Sequence, residues 1–279
     1  MPGGQMTHEP AVIAELPNAA ETADDASAPA AQTPLARDWR LGPAADPGVR
    51  PWRELLLAGA LVSLGAGTLG ATFIVWLAGG SLEGAQTWVA ASATAVVLLG
   101  LLVPVVTAFV LSRPAGLLRV RAVDVLYAVV LGGMLRLVQG WIEVANGGSG
   151  ALPSYPSIDG GLGAGWVLTE LVPTVVIAPV VEEFFFRGVV LVCLFTVLRG
   201  PFGAVAAGIV AVTASTALFV VMHTMSGGGS IDAAIALTLL GLVCGGLVVL
   251  TGRIWGAVLV HMTYNATFAL LAVVGTFWG

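Results

Sequence analysis

Lysine is missing from this 279-residue chain, and charge of either sign is scarce, at 10% of residues. Water-soluble domains carry about 25%, so a globular domain in water is excluded. All 11 basic residues are arginines and they never form a run. That removes nucleic acid as a partner and leaves no polybasic patch for anionic lipid. Cysteine is reduced to two residues, Cys193 and Cys244, each inside an apolar run. Thiols so placed behave as small hydrophobes, and no disulfide is expected. Residues 1–50 lack apolar periodicity and hold prolines at 2, 10, 17, 29, 34, 43 and 47. They also hold seven of the 16 acidic residues, so the net charge of -5 describes this stretch more than the rest. The expectation is a disordered cytoplasmic tail, without the charged start and short apolar stretch of a cleavable signal peptide.

What is abundant is apolar. Hydrophobic residues make up 57% of the chain, and a helix needs roughly 20 of them in succession to cross the hydrocarbon core. Runs at about 55–79, 88–111, 122–145, 166–197, 203–223, 232–250 and 254–277 meet that length. Backbone polar groups in lipid must be satisfied within their own segment, so each run is read as helix. The predicted fold class is all-α: a polytopic membrane helix bundle of about seven transmembrane helices spanning residues 51–279. Many of the 37 glycines suit close helix packing. Arginines at 37, 40, 50 and 53, then 113, 119 and 121, then 199, then 253 fall in alternate connections, while 80–87, 146–165 and 224–231 have none. The positive-inside rule then puts the N-terminus in the cytoplasm and the C-terminus outside. Trp52, Trp76, Trp88, Trp166, Trp255 and Trp278 fall at span ends, where aromatic belts lie. The expected setting is an integral membrane protein of a prokaryotic plasma membrane.

Ionisable groups at bilayer depth are costly, about 2.5–3.5 kcal/mol each on insertion scales, and mark functional sites. The densest group is Glu182-Glu183-Phe-Phe-Phe-Arg187 in the fourth span. Glu183 and Arg187, at i and i+4, share a helix face and can pair, whereas Glu182 is turned about 100° away. Glu182 is thus left as an unpaired carboxyl whose pKa burial should raise, as a general base or acid requires. His223 follows Phe219 at i+4 in the fifth span, and Asn265 follows His261 at i+4 in the seventh. These are the only histidines outside the tail, and their company with the Glu pair points to one shared site.

Arg136, Gln139 and Glu143 in the third span also fall at helical spacing and make a second network or line an access groove; the structural network is the preferred reading, with Gln139 able to bridge the other two. Depth arithmetic creates a difficulty. His261 lies about 10 Å from the start of its span and His223 about 30 Å along the fifth, which predicts opposite sides unless the helices tilt, the fourth helix is broken near Pro173 and Pro179, or the 226–230 loop folds inward.

Glu182-Glu183-x-x-x-Arg187, Phe219-x-x-x-His223 and His261-x-x-x-Asn265, in that order, resemble the CPBP family of intramembrane peptidases, which includes the type II CAAX prenyl endopeptidases. The resemblance covers roughly residues 120–277. It implies an intramembrane endopeptidase in which Glu182 activates water with help from His223, Glu183 and Arg187 support the site, and His261 and Asn265 hold the developing oxyanion. It also implies a peptide or membrane-protein substrate, lipidated or not, met among membrane lipids. Glu182, His223 and His261 would serve as a zinc set too, with water in the fourth position. No His-Glu-x-x-His segment raises that reading, so no cofactor is assigned and glutamate-activated water is preferred. A proton-coupled carrier and a non-catalytic interaction protein use the same residues differently. The carrier expects pseudo-symmetric halves that the sequence does not display, and the interaction protein predicts that Glu182→Gln leaves function intact.

Overall fold

The chain doubles back at Gly203, and that turn sets the depth of the residues around it. The φ of 76° there lies in the left-handed region that glycine enters without steric penalty. Pro201, two residues earlier, lacks a backbone donor and further disfavours a continuous helix. The computed structural model describes residues 1, 3, 52–79, 87–112, 114, 116–157, 160–225 and 229–278. The expected disordered tail falls almost wholly outside the described residues, as do most of the 80–87 connection and Ser226, Gly227 and Gly228.

Helices succeed one another as α1 (Glu54–Leu77), α2 (Thr87–Leu111), α3 (Ala122–Ala145), α4 (Val167–Met225), α5 (Ile231–Thr251) and α6 (Trp255–Trp278). All six are long and apolar enough to cross a bilayer. At 59 residues α4 far exceeds one crossing. Its two legs, 167–200 and 204–225, correspond to the fourth and fifth expected spans, so the bundle is consistent with about seven crossings.

Contacts sort the connections into two ends. Before α3, Leu117 O accepts from Ile254 N at 3.0 Å and Leu118 O from Trp255 Nε1 at 2.9 Å. Asp124 binds Arg253 through Nη2 at 2.8 Å and Nε at 3.4 Å, and accepts from Arg121 N at 2.8 Å. Trp52 is fixed near the end of α2 by donating to Ala108 O at 3.0 Å. Beyond the far end of α3, Tyr155 N donates to Thr276 Oγ1 near the end of α6, at 2.8 Å. The arginine-bearing connections before α3 and α6 therefore share one end, as their alternation predicts.

The core lies between the legs of α4 and α5 and α6. Phe185, Phe186, Phe219, Leu240, Val248 and Val258 are wholly buried there, each fully buried apolar side chain of this size being worth about 1.5–3 kcal/mol relative to exposure in water. Against this core α1 and α2 pack Leu64, Leu101 and Val105, and they cross closely enough for Ser63 Oγ to donate to Gly100 O at 2.7 Å, while many of their large side chains face outward.

Candidate functional site

The first leg of α4 is irregular where it carries chemistry. It widens to π-helical turns at Val167–Leu171, Pro173–Ile177 and Phe184–Val190, flanking the Glu182-Glu183 pair. Single π-turns inside α-helices often accompany functional sites. Proline chemistry explains a local consequence. In the widened register Ala178 N donates to Pro173 O, so the next donor in line, for Thr174 O, is residue 179. That residue is a proline with no N–H. Asn265 Nδ2 donates to Thr174 O in its place, at 2.9 Å, tying α6 to this leg.

Glu183 and Arg187 pair as their spacing predicts, Arg187 Nη1 to Glu183 Oε1 at 3.2 Å, both side chains wholly buried. The same oxygen meets His261 Nδ1 at 2.9 Å. A carboxylate oxygen can only accept, so Nδ1 carries the hydrogen and the other ring nitrogen, Nε2, faces away from Glu183. His223 is arranged alike: its Nδ1 lies 2.9 Å from Phe219 O, a carbonyl that can only accept. Both imidazoles thereby present Nε2 to Glu182. Their distances to Glu182 Oε2 are 3.7 Å from His223 and 3.9 Å from His261. These exceed a direct hydrogen bond and suit one water molecule touching all three groups.

Phe219 is the hub of the packing. Its ring centroid lies 4.3 Å from that of His223, 5.8 Å from that of His261 and 5.4 Å from that of Phe186, and the Arg187 guanidinium stands 4.5 Å from it. Aromatic faces attract the guanidinium, which compensates for its lack of hydrogen bonds among the described residues. Ser215, one turn earlier, donates to Phe186 O at 2.8 Å and fixes the two legs of α4 together. Arg187 Nε, Nη1 and Nη2, Glu183 Oε2 and Thr216 Oγ1 are buried without hydrogen-bond partners among the described residues.

The two histidines meet, contrary to the opposite sides predicted from depth arithmetic. Glu182 and His223 lie on the two legs of one hairpin, 21 and 20 residues from Gly203 or about 32 and 30 Å along the helix, so they return to one level. Moreover α6 begins beside the site, with the Trp255 ring 5.9 Å from that of Phe184. The spans do not start from one common plane, since the hairpin turn lies well beyond the start of α6. Glu182, Glu183, Arg187, His223 and His261 are brought together, while Asn265 sits one turn beyond His261 and makes its contact with Thr174.

Some participants were not legible. Gln139 accepts from Arg136 as expected, but Glu143 is exposed and takes no part. The third member is Tyr264, whose hydroxyl donates to Gln139 Oε1 and whose carbonyl accepts from Arg136 at 2.7 Å. Its position three residues after His261 was the available signal. Asp124 and Arg253, charged residues at span ends, gave no sign of being partners because 129 positions separate them.

Among the described residues, no group of three or more His, Cys, Asp or Glu is arranged to hold a metal ion.

Residues 164–267 match the family model described as type II CAAX prenyl endopeptidase Rce1-like. The matched stretch contains every residue of the Glu182 cluster and also Asn265, whereas Arg136 and Asp124 lie outside it. No curated protein and no solved structure shows detectable similarity to the chain.

Proposed function

From the premise that this chain belongs to the CPBP family of CAAX-protease-like intramembrane endopeptidases, we propose that it hydrolyses peptide bonds with water activated by Glu182. The observation that carries the proposal is the convergence of two imidazole Nε2 atoms on Glu182 Oε2, at 3.7 and 3.9 Å, with each Nδ1 committed to another acceptor.

In this reading a water molecule sits among the three groups. Glu182 accepts one of its hydrogens as the oxygen attacks the scissile carbonyl, and His223 Nε2 accepts the other and aims the lone pair. Glu182 then returns its proton to the leaving amine, so no net proton is gained or lost. Glu183, anchored by Arg187, is the counter-charge that allows His261 to carry a second hydrogen on Nε2 and donate it to the oxyanion. Asn265 supplies a further donor from the amide hydrogen not spent on Thr174. Donors positioned in a water-poor site lower the barrier by several kcal/mol.

The arginine-bearing end faces the cytoplasm in this proposal, in keeping with the positive-inside rule. His261 lies only about 9 Å along α6 from that end, which makes peptides approaching from the cytoplasmic side the natural substrates.

The test is turnover of peptide substrates by purified protein in detergent. Glu182→Gln is expected to lower kcat by at least about 10²-fold, with the melting temperature kept near that of the unaltered chain. Turnover in the unaltered protein is expected to survive a metal chelator. Full activity in the Gln variant would remove Glu182 from the role of base, and loss of turnover on chelation would replace the mechanism with a metal-dependent one.

A further inference from the structure

Arg187 is a wholly buried cation whose hydrogens are unspent. Its Nε, Nη1 and Nη2 have no hydrogen-bond acceptor among the described residues, and Glu183 Oε2 and Thr216 Oγ1, also buried, have no partner there either. The 3.2 Å approach to Glu183 Oε1 brings opposite charges together without aligning a hydrogen on the oxygen. The rings of Phe219 and Phe186, 4.5 and 5.8 Å away, attract the cation through their faces. They take none of the five hydrogens that lie in the guanidinium plane.

The surroundings of Nη2 locate the shortfall. The chain passes there on α5 with Gly241, where a Cβ would stand 3.2 Å from Arg187 Nη2 and 3.0 Å from Thr216 Oγ1. These two atoms are therefore no more than about 6 Å apart, a gap that one water molecule bridges with two ordinary hydrogen bonds. The facing turn of α5 offers no side-chain acceptor: Cys244 donates to Ala257 O at 3.6 Å, and Gly245 lies against Val212 and Leu191. Thr216 shares a stripe of α4 with Phe219 and His223, at i, i+3 and i+7. Buried waters typically make about three hydrogen bonds to polar groups that the fold leaves unpaired, and Arg187, Thr216 and Glu183 all present such groups.

We propose that water bound between Arg187 and Thr216, behind the Glu183–Arg187 pair, is a fixed part of this protein, and that it makes Thr216 a positioning residue for His261. Thr216 and the water hold the guanidinium, the guanidinium holds Glu183, and Glu183 holds His261 Nδ1 at 2.9 Å. Water relieves the penalty of the unpaired groups only in part, because immobilising it costs entropy. The role in turnover rests on the peptidase reading above, whereas the water site does not.

Three measurements on the full-length protein test this. A structure at a resolution that shows ordered water is expected to place a water molecule within about 3.2 Å of both Thr216 Oγ1 and an Arg187 nitrogen. Thr216→Val keeps the shape of the side chain and removes its hydroxyl. It is expected to lower the melting temperature in detergent by about 2–4 °C, as loss of one satisfied hydrogen bond does. It is also expected to lower kcat about fivefold with KM unchanged, while Thr216→Ser, which keeps the hydroxyl, holds kcat.

Density showing no solvent there, or a direct bond between Thr216 and the guanidinium in its place, overturns the water site. So does a melting temperature unchanged or raised in Thr216→Val, since removing a dry, unpaired hydroxyl does not destabilise. Equal kcat losses in the Val and Ser variants, or none in either, overturn the positioning role. Absence of turnover in the unaltered protein would remove the peptidase reading and the positioning role together, and density and melting would still decide the water site.

Discussion

Two buried ion pairs hold the half of this bundle that carries the Glu182 cluster, and they are built to different standards. At the arginine-bearing end, both oxygens of Asp124 are used, by Arg253 Nη2 and Nε and by Arg121 N. The pair is a closed clamp between the starts of α3 and α6. At the centre of the first leg of α4, Glu183 Oε1 serves both Arg187 and His261, while Glu183 Oε2 and the Arg187 nitrogens make no hydrogen bonds among the described residues. A buried polar group left short of partners costs about 1–3 kcal/mol. Tolerating that cost one ring away from Glu182 is what the proposed reaction would ask of these charges and a mere joint would not.

The largest expected contrast comes from neutralising each acid in turn. Glu183→Gln and Asp124→Asn each leave a buried arginine unpaired, which costs about 3–5 kcal/mol. Thermal unfolding in detergent should record comparable losses. Turnover per folded molecule should fall sharply in Glu183→Gln, because His261 loses its counter-charge, and hold in Asp124→Asn. Equal loss of turnover in both would erase the distinction between clamp and site.

Asn265→Ala comes next. Losing the Thr174 tie alone costs about 1 kcal/mol of stability. If the second amide hydrogen meets the oxyanion, kcat drops by about 10²–10³ as well. A melting shift with unchanged kcat would confine Asn265 to joining α6 to α4.

The smallest effect is expected from Gly241→Ala on α5. A Cβ there would stand 2.6 Å from Thr216 Cγ2 and 3.2 Å from Arg187 Nη2, so Thr216 and the guanidinium must shift. Overpacking of this kind costs about 1–3 kcal/mol. The comparison sharpens if kcat falls more than stability, because the displaced guanidinium is the anchor of Glu183 and, through it, of His261.

Much of this was legible beforehand, for reasons that are local. Glu183 and Arg187 pair because residues four apart on a helix are neighbours whatever surrounds them. Asn265 and His261 share a face for the same reason. Tyr264 escaped notice because a tyrosine in an apolar run resembles any other core aromatic, and its partner Gln139 lies 125 positions away. The Thr174 tie was hidden in the register of a π-turn, which a period of 3.6 does not reveal.

Run length, arginine alternation and the spacing of acids within one helix were determined by the chain alone, because each depends on neighbours within a turn or on transfer into lipid. The meeting of His223 with His261 was decided by the tertiary structure. Each histidine's depth depends on where a hairpin turns and where α6 begins, and neither quantity is contained in the run that carries the residue.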